Sequence, residues 1–193
     1  NYGLFSGDTN LFKTLTIFDL IKQTRSVKGD IIELGIHKGN TSLLFKKILD
    51  IFKIKKKLYL LDHFKGLIHY GKQDTQHSRI FKGQFVGKKK QIRSFIDFFK
   101  FKNIEIIDKD ATTLQSGFFK NRRFSLAYFD MDLYLPTLKG LQAIDKNMSK
   151  GGFIVFDEGY KKLWSEMRAI KDFLKKNKKY RWILIDKKKL PDV

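Results

Sequence analysis

Short apolar runs recur along the chain, separated by longer stretches with helical spacing. The runs at 31–34, 58–61, 104–107, 125–129, 153–156 and 182–185 read as strands. Most are apolar on both faces, the pattern of strands covered by helices on each side. Between them, Ile92, Phe95, Ile96 and Phe99 form one helical stripe. Leu138, Leu141 and Ile144 form a second behind Pro136, a residue suited to a first helical turn, and Met167, Ile170 and Leu174 form a third. This alternation predicts an α/β fold with a doubly wound, mostly parallel, Rossmann-like sheet and right-handed crossovers. Residues 1–27 read as a leading helix with an irregular arm, ahead of one domain spanning 28–193.

The polar punctuation adds chemistry. Glu33 closes the first run, Asp62 follows the second, Asp108 and Asp110 the third, Asp130 the fourth and Asp157 the fifth. In an open parallel sheet the ligand crevice lies outside the carboxyl ends of the strands, so these acids are expected to converge there. Singly, each reads equally well as a turn residue or helix N-cap. Acids at the ends of five strands along one edge predict a bound cation. The segment from Glu33 through Gly35, Ile36, His37 and Gly39 to Ser42 supplies a glycine turn between strand and helix. Gly35 and Gly39 are expected to let the backbone approach a ligand closely. His37 stands where the dinucleotide fingerprint has its middle glycine, and no Walker lysine follows. With Asp62 available for ribose hydroxyls, the loop describes a nucleoside site.

A second cluster joins Asp130, Asp132, Asp157 and Glu158 at the ends of two successive strands. An oxygen-only donor set favours a hard cation such as magnesium, manganese or calcium over zinc. The four histidines, His37, His63, His69 and His77, are scattered and are read as non-ligands.

Four blocks together, 29–39, 61–67, 130–134 and 151–158, make the chain resemble the TylF-type macrocin O-methyltransferase family over roughly residues 28–185. The resemblance implies a class I methyltransferase fold and S-adenosylmethionine as cofactor. It also implies a hydroxyl of a sugar or similar small natural product as acceptor, with assistance from Mg2+ or another hard divalent cation. Carried over by position, Glu33, Gly35, Ile36, Gly39, Ser42, Asp62, His63, Phe64 and Asp110 fall at cofactor-binding positions. Asp130, Asp157 and Glu158 fall at the metal ligands, and Asp132 at the general base. The chain departs from the family pattern at Glu158, where a second Asp is usual, at His63, where Ser or Thr is usual, and at Lys65, a commonly acidic position. The N-terminal helices that shape the lid and oligomer contacts in the family are only partly represented.

Composition narrows the picture without redirecting it. A chain of 193 residues fits one domain. The absence of cysteine excludes disulfides, thiolate metal sites and a cysteine nucleophile. The formal charge of +20 invites nucleic acid as partner, but 33 Lys stand against 7 Arg, and phosphate-gripping surfaces favour the bidentate Arg fork. With only four Ala in the chain, the excess of Lys reads as compositional bias, and runs such as 55–57, 88–90, 175–179 and 187–189 as solvated surface. An RNA methyltransferase using the same cofactor, or a non-catalytic basic nucleic-acid-binding module, are the alternatives that would use the charge. No apolar run approaches membrane-spanning length and the N-terminus lacks a signal-peptide pattern, so the cytoplasm is the expected location. A homo-oligomer is left open. Because it begins at Asn1, the chain reads as a trimmed piece of a longer protein.

Overall fold

The computed structural model of the chain describes residues 11–157 and 163–185. Five strands, β1 (Asp30–Leu34), β2 (Leu58–Asp62), β3 (Ile104–Asp108), β4 (Phe124–Phe129) and β5 (Met148–Phe156), form one sheet in the order β3-β2-β1-β4-β5. Every pairing is parallel. The order reverses between β1 and β4, so the crevice of this doubly wound sheet opens above their carboxyl ends.

Strand alternation divides the apolar residues between two cores. Ile32, Leu34, Ala127 and Phe129 point to one face, where they pack under α5 (Tyr134–Ile144) and α6 (Glu166–Lys176) through Leu141, Ile144 and Phe173. Ile31, Leu126 and Tyr128 point to the other face. They meet α1 (Leu11–Thr24), α2 (Asn40–Ile51) and α4 (Lys89–Phe98) through Ile17, Ile21, Phe45 and Ile92. A short helix, α3 (Gln76–Ile80), lies within the long connection between β2 and α4. Among the described residues, no helix is long and apolar enough to cross a membrane.

Three expectations need correction. Residues 182–185 form no strand: they lie outside the sheet and are exposed, with the Trp182 ring centre 6.1 Å from that of Phe156 in β5. An apolar run becomes a strand only with a ladder partner. The buried face of α6 runs through Glu166, Ala169, Ile170 and Phe173, one position off the expected stripe, which brings a glutamate into the interior. Within the lysine run at 55–57, Lys56 is buried and donates to the carbonyls of Val27 and Gly29, both at 2.6 Å, tying off the chain just before β1. The run at 187–189 lies outside the described residues.

Candidate active site

A cleft of about 370 Å³ opens at the carboxyl ends of the strands. Glu33, Gly35, Ile36, Asp62, His63, Asp130, Asp132 and Asp157 all line it. Gly39, Ser42, Phe64 and Asp110 are not among its lining residues, and Glu158 lies outside the described residues. Asp108 turns away and pairs with Lys89 at 2.7 Å.

The glycine loop is shaped by the chain's own packing. A Cβ on Gly35 (φ +87°) would sit 1.9 Å from the Asp130 carbonyl oxygen, and one on Gly39 (φ +83°) would sit 2.6 Å from Ile92 Cδ1. At both positions the space a Cβ would take is thus filled by a neighbouring strand or helix, which requires glycine there whatever the loop binds. Asp62 holds the loop from the other side. Its Oδ2 accepts from the N–H groups of Ile36 (2.7 Å) and His37 (3.1 Å), and its Oδ1 accepts from Phe64 N–H at 2.6 Å. A carboxylate has about four acceptor positions, so one remains for a further donor.

Glu33 is fully buried beneath the loop and accepts a short hydrogen bond from the Ser42 hydroxyl. Burial raises its carboxyl to about 8, against the hydrogen bond from Ser42 and the charge of Lys13. The folded protein therefore keeps this proton between about 4.5 and about 8 while the unfolded chain releases it, and stability falls across that interval as pH rises. At about 1.4 kcal/mol for each tenfold change in the ionisation constant, the effect is at most roughly 5 kcal/mol. Glu33→Gln is expected to melt higher than the parent at pH 8.5 and close to it at pH 4.5, as read by thermal denaturation. Equal melting differences at both pH values would show that Glu33 is ionised throughout.

Asp130 and Asp157 sit one residue beyond β4 and β5. The ladder carries them there: Asp130 N–H donates to the Leu34 carbonyl and Asp157 N–H to the Phe129 carbonyl, each at 2.9 Å. Alternation then turns both side chains toward α1, the side that Tyr128 faces. Lys13 of α1 meets them, with Nζ 3.0 Å from Asp157 Oδ1 and 3.8 Å from Asp130 Oδ2. The Tyr128 hydroxyl donates to Asp157 through a short bond. Burial lowers the Lys13 ammonium's proton affinity, but Asp130 and Asp157 outweigh it and hold it above the ordinary lysine value. Asp130 is pushed well above the ordinary carboxylate value, first by burial and then by Asp157.

Asp132 is half-buried at φ +59° in the turn between β4 and α5. Glu166, completely buried with neither carboxyl oxygen in a well-formed hydrogen bond, is pushed far up by burial and then by Asp132, Asp130 and Asp157. The Met131 N–H acts against that shift. Glu166 is thus stored as a neutral acid. On the nucleoside side, Asp110 accepts from the N–H (2.8 Å) and hydroxyl (2.7 Å) of Thr112. Burial opposes its ionisation, but these bonds and the nearby His69 and His63 hold it below the ordinary carboxylate value. Contrary to the scatter read from the sequence, His63 and His69 approach each other, and ligand atoms of both lie within 4.8 Å of Asp110. His63 Nδ1 already accepts the Lys65 N–H at 2.9 Å, which commits one of its lone pairs.

The family model described as macrocin-O-methyltransferase (TylF) matches residues 10–187. The chain belongs to the TylF family. A curated relative from Streptomyces olivaceus is the 8-demethyl-8-(2,3-dimethoxy-alpha-L-rhamnosyl)-tetracenomycin-C 4'-O-methyltransferase. It is 23% identical over 145 residues, covering 68% of this chain and 53% of the relative, so the chain spans about half the length of that relative. Among solved structures, the O-methyltransferase NovP superposes with TM-score 0.71 at 17% identity, covering 88% of this chain and 73% of NovP. The calicheamicin methyltransferase CalS11 superposes with TM-score 0.69 at 21% identity, covering 86% and 72% respectively. These likenesses establish the TylF fold for the chain.

Within this TylF chain, sequence reasoning missed Lys13, Tyr128, Glu166 and Trp164. Lys13 carried a readable signal: it stands four residues before Ile17 on the buried stripe of α1, where a lysine is out of place. Glu166 carried the same signal on α6. Trp164 lines the cleft and stacks with Phe81 at 5.1 Å and edge-on with His77 at 4.8 Å, an arrangement with no periodicity to announce it.

Proposed function

We propose that the protein transfers a methyl group from S-adenosylmethionine to a hydroxyl of a small, sugar-containing acceptor. The observation that carries this reading is the meeting of Glu33, Asp62, Asp130, Asp132 and Asp157 in one cleft of a TylF-family chain. The 4'-O-methylation of a rhamnosyl group named for the Streptomyces olivaceus relative supports the sugar as acceptor class. The cleft's size suits a small molecule. Its lining interleaves the acidic groups just named with Lys13, Lys38 and Lys109, so it lacks the continuous basic track that a polyanionic acceptor such as RNA requires.

When bound, S-adenosylmethionine would supply an electrophilic methyl on its sulfonium sulfur, the acceptor oxygen bonding to that carbon as the carbon–sulfur bond breaks and S-adenosylhomocysteine leaves. The loop held by Asp62 seats the nucleoside, with the remaining acceptor position of Asp62 for ribose. Asp132 accepts the proton of the attacking hydroxyl. Asp130 and Asp157 offer the carboxylate oxygens that a hard cation prefers, and in this reading they, with Glu158, are its ligands. Such a cation lowers the pKa of a coordinated hydroxyl. Holding acceptor and cofactor at near-attack distance supplies up to about 7–11 kcal/mol of barrier reduction.

Calorimetric titration of S-adenosylhomocysteine, the product, into the folded protein tests the reading. Saturable one-site binding is expected with or without magnesium. Absence of binding under both conditions overturns it.

A further inference from the structure

The two carboxylates assigned above to a cation already have one. Lys13 Nζ lies 3.0 Å from Asp157 and 3.8 Å from Asp130, with its ammonium 5.5 Å from the centre of the Tyr128 ring. Its side chain is only 13% exposed, so this is an interior ion pair and not a surface contact of little energetic value. The position follows from construction. Ile17, Leu20, Ile21 and Thr24 anchor α1 in the core, and the same stripe continued one turn toward the N-terminus reaches Lys13. Glu33 adds a third carboxyl to the neighbourhood. An ammonium and a divalent ion cannot share the space between two carboxylates without repelling each other, and the repulsion is little screened in the interior.

We propose that Lys13 is a tethered cation standing in the divalent-ion position between Asp130 and Asp157, so that metal loading and the seating of the first turn of α1 exclude each other. This rests on the reading of Asp130 and Asp157 as cation ligands. Two consequences follow for the protein's working cycle. Without metal, the carboxylate pair stays compensated and the cleft floor keeps its shape. With metal, the Lys13 ammonium has to leave, and α1 loosens at its N-terminal end while Ile17, Leu20 and Ile21 hold the rest of the helix. Cation occupancy at the chemical centre is thereby coupled to the position of the segment that precedes the domain.

The test uses Mn2+ as probe on the whole chain, read by electron paramagnetic resonance. The parent is expected to bind Mn2+ weakly, and Lys13→Met to bind it at least about tenfold more tightly, since the ammonium held 3.0 Å and 3.8 Å from the same two carboxylates has been removed. In thermal denaturation Lys13→Met is expected to melt below the parent without metal and to regain stability when Mn2+ is added. Because the variant could lose its fold, the parent itself supplies a second measurement. Reductive methylation of lysines followed by peptide mass spectrometry should label Lys13 faster with Mn2+ present, while Lys56, buried elsewhere, stays unchanged. Equal Mn2+ affinity of parent and variant overturns the proposal, as does unchanged Lys13 labelling or absence of Mn2+ binding to either chain. S-adenosylhomocysteine titration run alongside separates the two readings, for its retention with a negative Mn2+ result removes the tethered cation and leaves the methyltransferase assignment standing.

Discussion

Asp132→Asn is expected to reduce methyl transfer by roughly 10²–10⁴-fold, the contribution of a positioned base, while leaving S-adenosylhomocysteine affinity within about twofold of the parent. The substitution is chosen for the backbone. Asp132 sits at φ +59°, and Asn is among the few residues that tolerate this left-handed conformation, so the turn leading into α5 should survive. What changes is the loss of a group able to take a proton. Single-turnover methylation of a rhamnosylated acceptor and calorimetry of the product cofactor, run on the same preparation, separate the two effects. Loss of cofactor affinity together with activity would mean that Asp132 shapes the cleft and does not act in it.

Gly35→Ala should do the reverse and damage binding through the fold. The added Cβ meets the carbonyl oxygen of Asp130 at 1.9 Å and cannot be relieved by a side-chain rotation, because both partners are backbone. Overpacking of this kind costs about 1–3 kcal/mol, and the left-handed backbone at φ +87° adds about 1–2 kcal/mol for a residue with a Cβ. A loss of about 3 kcal/mol lowers the melting temperature of a domain this size by roughly 6–12 °C. Prying β1 from the end of β4 also shifts Asp130, so product-cofactor affinity is expected to fall at least about tenfold, or 1.4 kcal/mol. A variant that melts and binds like the parent would show that the loop relaxes freely and that the contact is unimportant.

How much of this was readable beforehand differs from element to element. The first four strands could be located because they are short apolar runs flanked by Gly, Asn, Asp, Lys or Arg, with β1, β2 and β4 buried on both faces and β3, at the sheet edge, half-buried. β5 was found only from Phe153 onward: its opening residues, Met148 to Gly152, include the exposed Lys150 and Gly151, as suits an edge strand. The run at 182–185 misled because apolar character says nothing about whether a neighbouring strand is available to pair with it. The acids at the strand ends were legible, since the crevice rule needs only their place relative to the strands. Their partners were not, because hydrogen bonds such as those from Ile36 and His37 to Asp62 cross 25 or more positions and depend on how β1 and β2 are registered. The packing at Gly35 and Gly39 was hidden for the same reason, as the atoms a Cβ would meet belong to residues distant in the chain.

The three amides gathered by Asp62 bear on the thermodynamics of ligand capture. A phosphate- or nucleoside-binding loop that orders only when its ligand arrives loses conformational freedom at that moment, at about 1–2 kcal/mol for each backbone residue fixed. Here the restriction is already in place through a carboxylate that belongs to the protein. Association should therefore resemble entry into a rigid mould, with a heat-capacity change explained by the apolar surface covered and little left over for loop ordering. Rigidity of that kind also sharpens discrimination, because a nucleoside with an enlarged or reoriented base finds a wall that was set before it came.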